Sequence, residues 1–302
     1  MTVATAQQEL ELRAGGYPSF RIRIRIYPAD QPTGPVLVWA HGGGFLGGSL
    51  DMPEADETAR LVAERGVSVV SVGYSLAPAD LLLDLPDEAR GANVPSRAAI
   101  EAEIAAFGPR VHYPVASLQL LAAFDWAVEH ADELGGSGDR VAIGGASAGG
   151  NLAASAALRA RDRGAATPAA VLLCYPVLHS PLPAPSADLA EALGLTPDEV
   201  DAETVRPLEL NYVGDPALLA EPYAFPGGHD LRGFAPTVIV NAGPDRLRAS
   251  GEAFAAELAV AGVDVAVRQE RDADHGYLNV PGHPAALRTI ARFARALETE
   301  GT

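Results

Sequence analysis

The sequence predicts a mostly parallel, doubly wound α/β sheet with helices on both faces, and three observations point to it. Short apolar runs recur along the chain, helical patterns separate them, and one strictly alternating strand stands near the start. With 302 residues, 48% of them hydrophobic, the chain can bury one large core, so a single domain over 1–302 is expected.

The first predicted strand is "FRIRIRIY" (20–27). It sets Phe20, Ile22, Ile24 and Ile26 on one face and Arg21, Arg23 and Arg25 on the other, the pattern of a half-exposed antiparallel strand with a solvated Arg stripe. The later runs are apolar throughout: "VLVWA" (36–40), "VSVVSV" (67–72), "RVAIGG" (140–145), "AAVLLCY" (169–175), "TVIVNAG" (237–243) and "VDVAVRQ" (263–269). Such runs suit parallel strands covered on both faces. Between them, 114–134, 148–164 and 250–263 read as helices, the second closed by Gly164 as a C-terminal cap, and a last helix begins near Pro284.

Two stretches break the alternation. Residues 80–111 contain "SRAAIEAEIAAF", a short helix with Ser96 at its start and Ile100, Ile104 and Phe107 on one side. Residues 180–230 are rich in Pro and hold no convincing strand. The first is expected to be an inserted lid and the second a cap segment, because insertions of this size in a regular fold are often binding loops; a plain surface excursion or subunit contact suits the first equally.

A formal charge of -17 would repel phosphate, so no nucleic-acid partner is expected. All 22 basic residues are Arg, and without Lys there is no Schiff base, pyridoxal linkage or P-loop contact. Cys174 is the only cysteine and lies in an apolar run, which fits a buried thiol in a reducing compartment. The N-terminus lacks the basic and apolar regions of a signal peptide, and no apolar stretch reaches membrane-spanning length. The expectation is a cytoplasmic protein without a membrane span. A homodimer through an edge strand or the terminal helix is compatible with this pattern.

The chemistry is concentrated in "AIGGASAGGNLAAS" (142–155). Gly145-Ala146-Ser147-Ala148-Gly149 is a G-x-S-x-G sequence between a predicted strand and helix, the setting of a nucleophile elbow. Side chains two residues to either side of such a serine would collide as the chain doubles back, and the following helix aims its amides at the hydroxyl. Alone, the pattern equally suits a structural Gly-rich turn with a spectator Ser. "HGGGF" (41–45) follows another strand and leaves backbone amides unshielded, so two motifs point at one crevice beyond the carboxyl ends of the strands.

A serine hydroxyl needs a base, and His275 in "RDADHGYLN", after the last apolar strand, stands where this architecture places it. His41 is expected to fix the glycine loop, and His112, His130, His179, His229 and His283 to be surface or local structural residues. For the acid, Asp245 in "NAGPDRL" gives the chain order Ser, Asp, His; Asp272 and Asp274 are nearer in sequence but poorly placed to hold the ring.

These residues resemble the hormone-sensitive-lipase-like family of α/β-hydrolase esterases, which includes the bacterial family IV carboxylesterases. The resemblance covers most of the chain and rests on "HGGGF", "YSLAPA" (74–79), "ASAGGNLA" (146–153), "YPVL" (175–178), "LTPDEV" (195–200), "NYVGDP" (211–216), "GPDRL" and "DHGY", in that order. It implies the α/β-hydrolase fold with a cap built from insertions, Ser147 as nucleophile, His275 as general base and then acid, and Asp245 as the residue orienting the imidazole. It also implies an oxyanion hole from the amides of Gly43, Gly44 and Ala148, and hydrolysis of a small or medium acyl ester through an acyl-enzyme, with no metal or cofactor.

The chain departs from the family pattern in places. Ala146 stands where the family usually has an acidic residue, Arg246, Ala249 and Ser250 replace parts of its D-P-L-x-D-E run, and "YSLAPA" lacks the usual Arg and final Glu. Forty residues precede His41, fewer than in many relatives, which implies a shortened N-terminal part of the cap. The same triad would also serve acyl transfer, amide or lactone cleavage, or elimination in a biosynthetic pathway. A non-catalytic small-molecule receptor is a third reading from the same fold, set against the presence of Ser, Asp and His together.

Overall fold

A computed structural model describes residues 6–12, 20–79, 96–196 and 205–298. Its centre is an eight-stranded sheet of order β1-β2-β4-β3-β5-β6-β7-β8. The strands are β1 (Ala6–Leu12), β2 (Phe20–Tyr27), β3 (Gly34–Ala40), β4 (Ser68–Gly73), β5 (Gly136–Ala146), β6 (Val171–Cys174), β7 (Thr237–Ala242) and β8 (Val265–Glu270). From β4 to β8 all neighbours run parallel, with Val38 opposite Val70 in β4 and Ile143 in β5. β2 pairs antiparallel with β4, and β1 with β2.

Every apolar run forms its predicted strand; the inner ones are buried on both faces, whereas β8, at the edge of the sheet, is largely exposed, with Val267 at 39%. Val36 and Val38 belong to one core cluster and Leu37 and Trp39 to the other, all with 0% exposure. A fully buried Val or Leu contributes about 1.5 to 3 kcal/mol, so the register of such a strand is not free to slip. In β2, Ile22, Ile24 and Ile26 are buried as the alternation requires. The Arg stripe is only partly solvated: Arg25 donates to the Leu50 carbonyl at 2.9 Å and pairs with Asp51 at 2.6 Å.

Helices cover both faces. α1 (Asp56–Ala63) and the terminal α8 (Pro284–Glu298) lie on one side, and Ile290, Phe293 and Leu297 at helical spacing meet Trp39 and Val69 there. On the other side α3 (Val115–Glu129), α4 (Ala148–Asp162) and α7 (Arg248–Val260) pack through Leu120, Phe124, Leu152 and Phe254. Gly164, just past α4, adopts φ 65°, as expected of a residue ending a helix.

In the first inserted stretch, α2 (Arg97–Phe107) begins at Ser96, whose Oγ accepts from the Ala99 amide at 3.2 Å. Ile100 is buried but Ile104 is 39% exposed, so the expected single apolar side is not maintained. Residues 80–95 of the same stretch lie outside the described residues. The second stretch, 180–230, contains α5 (Ala187–Leu193) and α6 (Arg206–Val213) but no strand among its described residues.

Candidate active site

Parallel strands release their chain at one edge, and here β3, β5, β7 and β8 each deliver part of one site there. At the end of β5 the chain turns straight into α4, with Ser147 at φ 54° and ψ -120°, outside the regions that residues with a Cβ favour. The turn is held from below, because the Ser147 amide donates to the Cys174 carbonyl at 2.9 Å. Both flanking glycines are sterically required: a Cβ on Gly145 would overlap the Gly149 carbonyl, and one on Gly149 would overlap the carbonyls of Ala40 and His41. The collision inferred from the sequence is therefore present, and the second half of it is with β3.

After β3, Gly43 and Gly44 take φ 119° and 60°, and the Gly43 carbonyl accepts from the amides of Leu46 and Gly47 at 3.1 and 2.9 Å. This tight loop leaves the Gly43 and Gly44 amides, like that of Ala148 at the first position of α4, without a hydrogen-bond partner among the described residues. His41 anchors the loop from behind, stacked on Tyr74 at 4.5 Å and placed against the Gly42 carbonyl at 2.7 Å. Burial lowers its pKa to about 4, so it stays neutral and structural.

The loop after β7 carries Asp245, and the loop after β8 carries His275; the Gly243 amide joins them by donating to the Ala273 carbonyl at 3.0 Å. His275 Nδ1 lies 2.7 Å from Asp245 Oδ2, and its Nε2 lies 3.0 Å from Ser147 Oγ. The other carboxylate oxygen of Asp245 accepts from the Leu247 amide at 2.9 Å, which fixes the plane of the group. Ser147 and Asp245 are 8% and 4% exposed, whereas the His275 side chain keeps 40% of its surface open to the cavity. Burial pulls the His275 pKa down, but the hydrogen bond and charge of Asp245, aided by Glu54, outweigh it and hold it above the ordinary value.

The three residues open on a cavity of about 750 Å³, walled chiefly by apolar side chains including Met52, Phe45, Val177, Leu208 and Leu247. Leu208 reaches in from α6 and lies over Gly44. None of the described side chains of residues 96–111 lines this cavity. They meet it at one remove, through Arg110, which donates to the Leu46 carbonyl at 2.7 Å and pairs with Glu103 of α2.

Sequence reasoning gave no place in this wall to four of its polar residues, Glu54, Glu209, Arg246 and Asn279. Glu209 is 2% exposed and accepts from Ser180 Oγ at 2.7 Å; Arg246 follows Asp245; Glu54 is 1% exposed and is bonded to the glycine loop. Glu54 stands in the acidic stretch "DMPEADE", where nothing local distinguishes a buried carboxylate from a solvated helix start.

A second Ser-His-acid arrangement shows by contrast what an accessible site needs. His179 Nδ1 lies 2.9 Å from Ser250 Oγ and its Nε2 3.1 Å from Glu257. Ser250, however, is 0% exposed and its Oγ already accepts from the Leu178 amide at 2.8 Å. This array ties the exit of β6 to α7, which makes His179 a buried structural residue. Cys174 is likewise fully buried and unpaired, with its Sγ 3.2 Å from the Tyr277 hydroxyl. Among the described residues no cluster of three or more His, Cys, Asp or Glu could hold a metal ion, and no helix is long and apolar enough to cross a membrane.

A family profile described as alpha/beta hydrolase fold matches residues 37–91 and 106–279. The chain is 34% identical over 297 residues to the carboxylesterase NlhH of Mycobacterium tuberculosis, covering 95% of this chain and 83% of that protein. It is 30% identical over 158 residues to hormone-sensitive lipase of Mus musculus, spanning 52% of this chain and 17% of that protein. The solved structure of a hyperthermophilic esterase from Pyrobaculum calidifontis superposes with a TM-score of 0.74 at 28% identity, covering 97% of this chain and 83% of that one.

Proposed function

This chain belongs to the α/β-hydrolase fold family, on its hormone-sensitive-lipase-like branch, and from that premise we propose that it is a serine carboxylesterase acting on small or medium acyl esters through an acyl-enzyme. The observation that carries the proposal is the continuous line from Asp245 to His275 to Ser147, with spacings of 2.7 and 3.0 Å.

Asp245 accepts a hydrogen bond from Nδ1–H, which keeps that proton on Nδ1 and leaves the Nε2 lone pair directed at the serine. Ser147 Oγ then attacks the acyl carbon while its proton passes to Nε2. The carbonyl electrons move onto oxygen, where the amides of Gly43, Gly44 and Ala148 stabilise the charge. Collapse breaks the ester C–O bond, and the leaving alcohol takes the proton from Nε2. A water repeats the sequence, releasing the carboxylic acid and restoring the serine. The open edge of His275 gives that water its approach.

The apolar wall favours an uncharged acyl chain, and Val205, Leu208 and Glu209 support assigning residues 180–230 as the cap of a single domain. The proposed role of 80–111 is indirect, through the Arg110 contact to Leu46. A cytoplasmic setting, supported by the lone buried thiol, and a homodimer through an edge strand or the terminal helix complete the proposal.

The test combines p-nitrophenyl acetate, butyrate and octanoate turnover with intact-mass analysis after fluorophosphonate treatment. One adduct on Ser147 and rapid turnover of a short or medium ester are expected. Full labelling with feeble turnover would point to a pathway-specific acceptor or bond, and absence of labelling would leave only a receptor.

A general base must be neutral, and His275 is held above the ordinary histidine value of about 6.5. kcat/KM should therefore be lost as pH falls through a midpoint above 6.5 and reach its plateau only on the alkaline side. A pH-rate profile of p-nitrophenyl butyrate hydrolysis checks this.

A further inference from the structure

Glu54 is a buried carboxylate that the steps above do not use, and its contacts reach three parts of the site. Its Oε1 accepts from the Gly42 amide, one residue before the first proposed oxyanion donor, at 2.5 Å. Its Oε2 accepts from the Tyr175 hydroxyl at 2.5 Å and from Asn279 Nδ2 at 3.3 Å. The Asn279 side chain is oriented by its own oxygen, which accepts from the Glu54 amide at 3.2 Å. Asn279 lies four residues after His275, and the Tyr175 ring rests against the imidazole at 4.8 Å.

We propose that Glu54 is a positioning residue for the esterase reaction: its carboxylate clamps the glycine loop to the histidine loop and places a second negative charge behind the imidazole. The proposal rests on the esterase reading given above. All three side-chain contacts of Glu54 donate to it, and two of them, the Gly42 amide and the Asn279 NH2, are N–H groups that cannot accept, so the ionised form is the one these partners fit best. Burial is the largest influence and holds the Glu54 pKa above the ordinary carboxylate value, against the three donors and the charge of His275, which lower it; it is the donor geometry that favours the charged form. The Tyr175 phenol is pushed far up by burial and by the charge of Glu54, so it remains a donor.

The groups facing His275 divide clearly. Asp245 after β7, Ser147 at the elbow and Tyr175 after β6 touch it. Glu54, ahead of α1, acts on it through space. Arg246 and Glu209 stand on the cavity wall, and Asp272 and Asp274 are exposed on its own loop. Asp245 binds the Nδ1 side, whereas Glu54 reaches the ring only across Tyr175. Its charge therefore favours the protonated ring without competing for the tautomer that Asp245 sets.

The test is Glu54→Gln, a close copy of a protonated Glu54, with Glu54→Asp beside it. Two readouts are taken on variants of unchanged thermal midpoint: kcat and KM for p-nitrophenyl butyrate, and the His275 pKa by NMR titration of the imidazole. For Glu54→Gln the His275 pKa should fall by about 0.5 unit or more. Its kcat should fall about 10- to 100-fold with KM within about 3-fold. Glu54→Asp keeps the charge but is too short for the clamp, so the pKa should return towards wild type while kcat stays low.

A Glu54→Gln enzyme with wild-type pKa and kcat overturns the proposal and leaves the esterase reading standing. A shifted pKa in a protein that turns over no ester overturns that reading instead, since the titration needs no substrate. If Glu54→Gln does not fold, Asn279→Ala decides: it cuts the histidine-loop end of the clamp, and a kcat unchanged within 2-fold overturns the proposal.

Discussion

Ser147→Ala should lower kcat for p-nitrophenyl butyrate by at least about 10⁴-fold and abolish fluorophosphonate labelling, with the thermal midpoint nearly unchanged. The loss is large because, among the described residues, His275 Nε2 has no other hydroxyl to activate; they wall the cavity mostly with apolar side chains and offer no second serine. The fold should tolerate the change, because the backbone of the turn is held by the Ser147 amide on Cys174 and by the two flanking glycines, none of which involves the hydroxyl. Single-turnover assays separate residual hydrolysis by bound water from contamination. A variant with full turnover would remove Ser147 from the chemistry altogether.

Asp245→Asn should cost about 10⁴-fold in kcat, although it changes neither size nor shape. The reason lies in the Leu247 amide, which donates to one oxygen of residue 245. An asparagine satisfies that amide with its carbonyl and so turns its NH2 towards His275 Nδ1. The imidazole must then accept at Nδ1 and carry its proton on Nε2, where it faces Ser147 and cannot take the serine proton. Phosphonate labelling should slow in parallel, and the fold should persist because both positions of the side chain remain hydrogen-bonded. Activity within 10-fold of wild type would shift the role to another carboxylate, with Asp272 and Asp274 the rivals in the sequence.

Much of the sheet and the three aligned residues were legible in the sequence, for a physical reason they share. Runs such as "VLVWA" announce themselves because a parallel strand buried on two faces must be apolar throughout. Gly145 and Gly149 announce the elbow because nothing larger fits beside Ala40 and His41. β1 gave no such signal: "AQQELEL" sits at the margin of the sheet, where pairing to β2 demands little apolar surface. Glu54 was invisible for the opposite reason. Its partners Gly42, Tyr175 and Asn279 lie 12, 121 and 225 residues away, so its burial is created entirely by tertiary contacts. The same holds for Ile104 of α2, where periodicity sets which side chains share a side but not whether anything packs against them.

The backbone at Ser147, at φ 54° and ψ -120°, has a thermodynamic consequence that does not depend on any substrate. An L-residue in such a conformation costs about 1 to 3 kcal/mol, a sizeable share of the roughly 5 to 15 kcal/mol that keeps an ordinary domain native. Glycine at 147 would hold the same bend without that cost, so this chain is less stable than its own backbone permits. The surrounding strands supply the difference, and in return the hydroxyl is fixed in its direction before any ligand arrives.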